Sequence, residues 1–193
     1  MTSVEILVEG FSLREASGTW HISSNIVLVR DEGVLLLVDL GAPDQQQTLL
    51  DTLCRHGLTP GNIDVIVLTH LHIDHVGALG LFPGTNIIVP EGTVTGSRFR
   101  FCNPTTLRPS PHSFVLRVPG HTANDIALGL RGDDGTTTVV AGDLFPLDLN
   151  PGSPVTAASH AALAASRQRV LDMADVIVTG HGPILTVSHP RSH

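Results

Sequence analysis

The stretch Thr69-His70-Leu71-His72-Ile73-Asp74-His75 decides the fold, because three histidines and an aspartate directly follow an apolar segment, residues 64–68. That segment has the β-branched composition of a buried strand. His70 and His72 are two positions apart, so in an extended chain they lie on one side and can meet one ion. Asp74 and His75 come after the chain turns and can face a second ion. The alternative is a group of ordinary polar residues in a surface loop.

Three further residues with metal-ligand side chains follow later in the chain, and all three have the same local sequence pattern. Each follows a short apolar run and a glycine, which lets the backbone turn tightly and approach a site closely. They are His121 after Pro119-Gly120, Asp143 after Ala141-Gly142, and His181 after Thr179-Gly180. Taken singly, each would be an ordinary loop residue, but the repeated pattern predicts that they meet at one rim of a sandwich. Asp39 follows residues 34–38 similarly, and we expect it to hold a ligand loop or histidine in place.

The composition excludes several kinds of chemistry. All 11 basic residues are arginine, so no lysine can form a Schiff base or bind phosphate in a P-loop. There is no tyrosine to act as a phenolic acid. With 11 histidines and 2 cysteines, the chain favours metal or acid–base chemistry over a disulfide scaffold. Imidazole and carboxylate ligands suit Zn²⁺, with Mn²⁺ and Fe as alternatives.

The length of 193 residues and the apolar share of 41% predict a single domain over residues 1–193. Short β-branched runs alternate with two helical patterns, residues 43–56 and 157–173, which predicts an α/β sandwich with helices outside. The predicted strands are Val4–Val8, Asn25–Val29, Val34–Val38, Val65–Leu68, Ile87–Val89, Phe114–Val118, Ile126–Leu130, Thr137–Val140 and Val176–Val178. Residues 90–113 are less regular and are interpreted as a long functional or partly disordered loop.

The ordered set of His70-x-His72-x-Asp74-His75, His121, Asp143 and His181 resembles the ligand pattern of the metallo-β-lactamase superfamily. This resemblance implies an αββα sandwich with two divalent metal ions at one edge. It implies that His70, His72 and His121 hold the first ion. It also implies that Asp74, His75 and His181 hold the second, while Asp143 bridges both.

A finer resemblance is carried by residues 80–84, 140–145, 166–171 and 174–183, which are similar to the animal group of metallo-β-lactamase domain-containing 1 proteins. It implies an endoribonuclease that acts on RNA in histone pre-mRNA 3′-end processing. Two divalent ions lower the pKa of bound water to roughly 7 and supply a nucleophile for phosphorus or carbonyl carbon. We expect Asp74 to be catalytic, orienting that nucleophile and passing a proton to the leaving group.

The substrate is expected to be anionic, with single-stranded RNA as one candidate, and to contact Arg98, Arg100 and Arg108. Phe99 and Phe101 alternate with these arginines in a pattern that could stack bases. The net charge of −7 speaks against broad nucleic-acid affinity, and the arginines could instead pair with acidic residues on the surface. Two other functions stay open: a hydrolase of small esters, thioesters or lactones, and a metal-binding module without catalysis.

The start of the chain lacks the basic and apolar regions of a signal peptide, and no apolar run is long enough to cross a membrane. The sequence therefore predicts a soluble protein of the cytoplasm or nucleus without a membrane partner, and it leaves a homodimer open.

Overall fold

The computed structural model describes residues 2–152, 154 and 156–189, which form two packed β-sheets and a small hairpin. The strands in these residues are β1 (Thr2–Val8), β2 (Phe11–Arg14), β3 (Trp20–Ser23), β4 (Ile26–Asp31), β5 (Val34–Val38), β6 (Val65–Val67), β7 (Asn86–Val89), β8 (Gly92–Thr95), β9 (Arg98–Phe101), β10 (Ser113–Arg117), β11 (Ile126–Arg131), β12 (Thr137–Val140), β13 (Val176–Val178) and β14 (Ile184–Thr186). The helices are α1 (Gln46–Arg55) and α2 (His160–Met173).

The first sheet has the strand order β1-β4-β5-β6-β7-β8-β9, and the second has the order β10-β11-β12-β13-β14. Strands β5, β6 and β7 are parallel to one another, as are β12 and β13. Parallel neighbours end at the same edge of a sheet, so the segments that follow β6, β12 and β13 emerge at a shared edge. All of the candidate ligands except His121, which follows β10, stand in these segments.

Side chains alternate between the two faces of each strand, and this divides the core into three layers. In β4, Val27 and Val29 face the second sheet, where they pack with Leu128. Ile26 and Leu28 face the other way and pack against Leu49 and Leu53 of α1. The outer face of the second sheet packs in turn against α2 through Leu163 and Val170. The result is the αββα sandwich that the sequence predicts.

Both helices occupy the positions expected from the sequence. Gly57, at a φ of +69°, follows α1 in the left-handed conformation that commonly ends a helix. The hydroxyl of Ser159 accepts a hydrogen bond from the backbone N–H of Ala162 at 3.2 Å and so caps the start of α2. Among the described residues, no helix combines the length and the apolar character that a membrane crossing requires.

Residues 90–113 are more ordered than predicted. They contain β8 and β9, which extend the first sheet, and a 3₁₀ turn at Pro104–Thr106. The irregular interpretation was wrong for β9 because its Arg-Phe-Arg-Phe pattern has the two-residue period of a strand. The hairpin of β2 and β3 and the short β14 were also missed, since their residues are mostly exposed or half-buried and form no buried apolar run.

Candidate metal centre

Seven side chains from four segments converge at one edge of the sandwich, at the ends of β6, β12 and β13 and after β10. Their ligand atoms form three overlapping groups, and within each group the atoms lie within 4.8 Å of one another. The groups are His70, His72 and His121; His70, His75 and Asp143; and Asp74, His75 and His181. The structure therefore brings together every metal-ligand residue predicted from the sequence.

The three histidines His70, His72 and His121 form one side of the centre. Nδ1 of His72 lies 3.0 Å from Nε2 of His70 and 3.0 Å from Nε2 of His121. His70 is buried, whereas His72 stands at the open side of the site. Three converging imidazole nitrogens with access from solvent on one side are a suitable ligand set for a catalytic divalent ion.

Asp74, His75 and His181 form the other side, and all three are buried. Oδ2 of Asp74 lies 3.6 Å from Nε2 of His75 and 3.7 Å from Nε2 of His181. These separations are longer than direct hydrogen bonds, and they leave the three atoms facing one point from different directions.

Asp143 stands between the two sides. Its Oδ1 lies 3.0 Å from Nε2 of His181 and 3.3 Å from Nε2 of His75. Its Oδ2 lies 3.4 Å from Nε2 of His121. One carboxylate thus presents one oxygen to each half of the centre, which is the arrangement of a bridging ligand.

Buried polar atoms without hydrogen bonds indicate that the residues of this site fit divalent metal ions. Nε2 of His75, Nε2 of His181 and Oδ1 of Asp143 are buried and make no well-directed hydrogen bond among the described residues, although Oδ1 of Asp143 lies 3.0 Å from Nε2 of His181. Buried polar atoms in folded proteins are nearly always paired, and an unpaired group costs about 1–3 kcal/mol. Since all three atoms are metal-ligand types that point at one another, a bound cation accounts for them together.

The outer nitrogens of two histidines are fixed by contacts that aim Nε2 at the centre. Nδ1 of His181 lies 2.8 Å from the carbonyl oxygen of Ser23, and Nδ1 of His75 lies 2.8 Å from Oδ2 of Asp39. Asp39 also accepts hydrogen bonds of 2.8 Å from the backbone N–H and the hydroxyl of Thr69. Asp39 therefore positions both a ligand and the start of the ligand loop, as such outer contacts commonly do.

Sequence reasoning missed Asn25, a buried residue at the start of β4. Its side-chain amide donates hydrogen bonds to the carbonyl oxygens of Thr179 at 2.7 Å and Gly182 at 2.8 Å. Its Oδ1 accepts a bond of 2.7 Å from the backbone N–H of Gly10. Asn25 thus ties the loop that carries His181 to the first sheet. A polar residue at the start of an apolar run was the available signal.

Two of the glycines that precede ligands are required by close approach. A Cβ at Gly180 would lie 2.4 Å from Oδ1 of Asp143, and a Cβ at Gly142 would lie 2.6 Å from Oγ1 of Thr69. Gly142 also has a φ of +53°, a conformation in which side chains are strained. Crowding at the centre therefore explains the glycines before Asp143 and His181.

Burial and charge set opposed pKa shifts within the cluster. Burial, together with the charge of His75, holds the pKa of His70 far below its ordinary value. Burial also lowers the pKa of His121. Burial acts to raise the pKa of Asp143, but the charges of His75 and His181 outweigh it and the pKa is held well below its usual range. Burial also acts to lower the pKa values of His75 and His181, but the carboxylates of Asp39 and Asp143 outweigh it at His75, and that of Asp143 outweighs it at His181, so both pKa values are raised. The site thus offers a carboxylate and two neutral imidazoles, while His75 and His181 would give up a proton on binding a metal ion.

A cavity of about 270 Å³ opens beside His70 and His72, and its other lining residues are Leu71, Pro90, Glu91, Thr122, Ala123 and Asn124. The amide of Asn124 donates to Oε1 of Glu91 at 3.2 Å across one side of this cavity. Behind it, buried Asp125 accepts a hydrogen bond of 2.7 Å from the backbone N–H of Thr122 and so fixes the loop after His121. The cavity is the access from solvent to the first half of the centre.

The arginines expected at the substrate lie elsewhere. Arg100 and Arg108 line a separate cleft with Val65 and Asn86, the first residues of β6 and β7. The metal centre stands beyond the opposite ends of those strands. Arg98 lies on β9 in the same sheet and is exposed. The structure therefore brings Arg100 and Arg108 together but does not place them on the cavity beside His70.

Comparison with known proteins identifies relatives over most of the chain. The family model of the metallo-beta-lactamase superfamily matches residues 20–98. Metallo-beta-lactamase domain-containing protein 1 of Homo sapiens is 39% identical over 163 residues, which are 81% of this chain and 61% of that protein. The protein of the same name from Xenopus laevis is 34% identical over 188 residues, 94% of this chain and 80% of its own length. The chain thus spans less than two thirds of the human relative.

Among solved structures, an N-acyl homoserine lactone hydrolase with product bound at its catalytic metal centre has a TM-score of 0.69. The match covers 94% of this chain and 92% of that one at 18% sequence identity, so it bears on the fold alone. Together with the relatives, the αββα fold and the cluster at its edge, it leads to one assignment. The chain belongs to the metallo-β-lactamase superfamily of metallo-hydrolases.

Proposed function

We propose that this protein is a hydrolase that uses two divalent metal ions, with zinc as the expected metal, and that it cleaves phosphodiester bonds in single-stranded RNA. The observation that carries the two-ion proposal is the position of Asp143, whose two oxygens face His181 and His121 on opposite sides. A single carboxylate shared in this way suits a pair of ions better than one.

The chain's own residues have distinct tasks in this proposal. His70, His72 and His121 would hold one ion, Asp74, His75 and His181 the other, and Asp143 both. Divalent ions held there supply positive charge to the oxygens of the scissile group and lower the pKa of water toward neutrality. Asp74 is buried at 7% exposure beside the centre, where its carboxylate can hold a proton and deliver it to the leaving oxygen.

The RNA substrate is supported by the similarity to metallo-beta-lactamase domain-containing protein 1 at 34–39% identity and by the histone pre-mRNA processing role that the sequence resemblance implies. A chain with this role acts in the nucleus or cytoplasm. The cavity of about 270 Å³ beside His70 and His72 suits one unit of an extended polymer. Asn124 and Glu91 at its side offer hydrogen-bond donors and acceptors to that unit.

A second candidate is the hydrolysis of small esters, thioesters or lactones. Two apolar side chains of the ligand loop favour it. Leu71 is 56% exposed and Ile73 is 67% exposed, so both are available to an acyl chain near the centre. An apolar chain would gain roughly 25 cal/mol for each Å² that it buries there.

The deciding experiment compares substrates on one protein preparation. The chain is loaded separately with Zn²⁺, Mn²⁺ and Fe²⁺ and is assayed on labelled single-stranded RNA, esters, thioesters and lactones. We expect RNA cleavage that chelation abolishes and that Asp74→Asn reduces by at least about 10²-fold. Asp51→Asn, on the exposed face of α1, is the matched control and retains activity. Turnover of a lactone or thioester without RNA cleavage selects the second candidate, and inactivity of the loaded protein on all substrates rejects both.

A further inference from the structure

Strand β9 is an open edge of the first sheet, and we propose that it docks an extended peptide of a partner protein whose side chains alternate between acidic and apolar. In the sheet order, β9 follows β8 and ends the row. All four of its residues are exposed, with Phe99 at 45% and Phe101 at 80%. An edge strand presents backbone N–H and C=O groups that can pair with an added strand.

The two faces of β9 have different chemistry. Arg100 pairs with Thr93 of β8, and both line the cleft that Arg108 also lines. Phe99 pairs with Val94 and lies on the opposite face, where its ring centroid is 4.5 Å from that of Phe101. A paired strand places its own side chains beside these on both faces. The edge therefore suits a peptide with one charged face and one apolar face.

The charge of the partner follows from the surroundings of the arginines. Among the described residues, no ion pair within 4.0 Å involves Arg98, Arg100 or Arg108. These cations are unpaired in a chain whose net charge is −7. Glutamate or aspartate at alternate positions of the added strand would stand opposite Arg98 and Arg100, and such cross-strand pairs are stabilising.

A second copy of this chain is a poor occupant of the same edge. When two β9 strands pair in antiparallel fashion, directly opposite side chains lie on the same face of the sheet. Arg98 of one copy would then stand opposite Arg100 of the other, or the two copies of Arg100 would stand opposite each other. Like charges directly opposite each other are destabilising. RNA is also disfavoured, because bases stacked on Phe99 and Phe101 would lie on the other face from the guanidinium groups. Arginines that merely protect an edge would not account for two exposed phenyl rings beside them.

The proposal is tested with a fluorescent eight-residue peptide in which Glu and Val alternate. The control peptide has the same composition in two blocks, Glu₄Val₄. Anisotropy should show saturable binding of the alternating peptide to the full chain and binding about tenfold weaker to the double variant Arg98→Glu/Arg100→Glu. Arg14→Glu/Arg55→Glu, which changes two exposed arginines away from β9, is the charge-matched control and retains binding.

A peptide of opposite charge shows whether the double variant is still folded and able to bind, so that lost binding is not mistaken for unfolding. The alternating Lys-Val peptide should bind Arg98→Glu/Arg100→Glu and not the unmodified chain. Hydrogen exchange should show new protection of backbone amides in β9 when the alternating Glu-Val peptide is added. Equal binding of both Glu-Val peptides, failure of the Lys-Val rescue, or self-association that the double variant abolishes would each overturn the proposal. So would a single-stranded RNA that binds β9 in place of the peptide.

Discussion

Oδ2 of Asp39 lies 2.8 Å from Nδ1 of His75, and both side chains are buried. Asp39 adopts a φ of +56°, a conformation that is uncommon for a residue with a side chain. A strained backbone conformation persists where surrounding contacts hold it in place. At Asp39 that contact is the one with His75, which directs Nε2 of His75 toward Asp143.

Replacing this carboxylate should weaken metal binding without unfolding the chain. In Asp39→Asn the charge is lost, so His75 is less firmly oriented and is a poorer ligand. Mutation of such outer contacts typically costs 10- to 100-fold in metal affinity, and we expect a loss in this range. Competition with a chromophoric zinc chelator measures it, with Asp51→Asn as the control. An unchanged zinc affinity would show that Asp39 does not position His75.

Asn25 should contribute to stability through the loop that carries His181. Asn25→Ala leaves the carbonyl oxygens of Thr179 and Gly182 without their donor and removes the acceptor for Gly10. We expect the free energy of unfolding to fall by about 2–4 kcal/mol. Urea denaturation checks this against Asn150→Ala, an exposed control. A loss below about 0.5 kcal/mol would mean that water replaces these bonds.

Gly180 should be essential to the shape of the centre. Its Cβ as alanine would stand 2.4 Å from Oδ1 of Asp143 and 3.0 Å from the backbone of Gly142, so the carboxylate must move. Displacement of about 1 Å in a catalytic site can cost 10²-fold in rate, and we expect Gly180→Ala to lose at least that much. The control is Gly84→Ala, where no atom lies within 4 Å of the added Cβ. Full hydrolytic activity of Gly180→Ala would exclude this crowding.

The pair of Asp31 and His112 should make stability depend on pH. Burial acts to raise the pKa of Asp31, but the Ser110 and His112 side chains outweigh it and the pKa is lowered. The hydrogen bond with Asp31, at 2.7 Å, raises the pKa of His112, and Glu32 and Asp133 act in the same direction. The contribution of His112 is therefore complete below its ordinary pKa of about 6.5 and is lost as pH rises through the raised value. That of Asp31 is complete above about 3.9 and is lost as pH falls through the lowered value.

His112→Ala should accordingly cost most stability between about pH 4 and pH 6.5 and less at higher pH. Denaturation at several pH values measures the difference from the unmodified chain. In Asp31→Asn, an NMR titration should show the pKa of His112 returning toward its ordinary value. A stability loss in His112→Ala that is independent of pH would contradict the charged interaction.

The sequence predicts the buried strands, both helices and the sandwich class because these elements carry apolar runs or regular apolar periods that pack in the core. It also predicts that ligand-type residues follow strands, as His121 and His181 do. Asn25 was not foreseen, since the two carbonyl groups that accept from its amide lie more than 150 residues away along the chain. The strand at β9 was missed despite its two-residue alternation of arginine and phenylalanine, because both of its faces are exposed and neither packs in the core. Arg98 is close to the ligands in sequence, but it lies on β9, away from the metal centre.

The most direct test of the account is the metal content of Asp143→Ala. If Asp143 joins both halves of the centre, the unmodified chain and Asp51→Ala should each carry two divalent ions by elemental analysis, and Asp143→Ala should carry fewer and lose hydrolysis. Retention of two ions per chain together with full hydrolytic activity in Asp143→Ala would contradict the account.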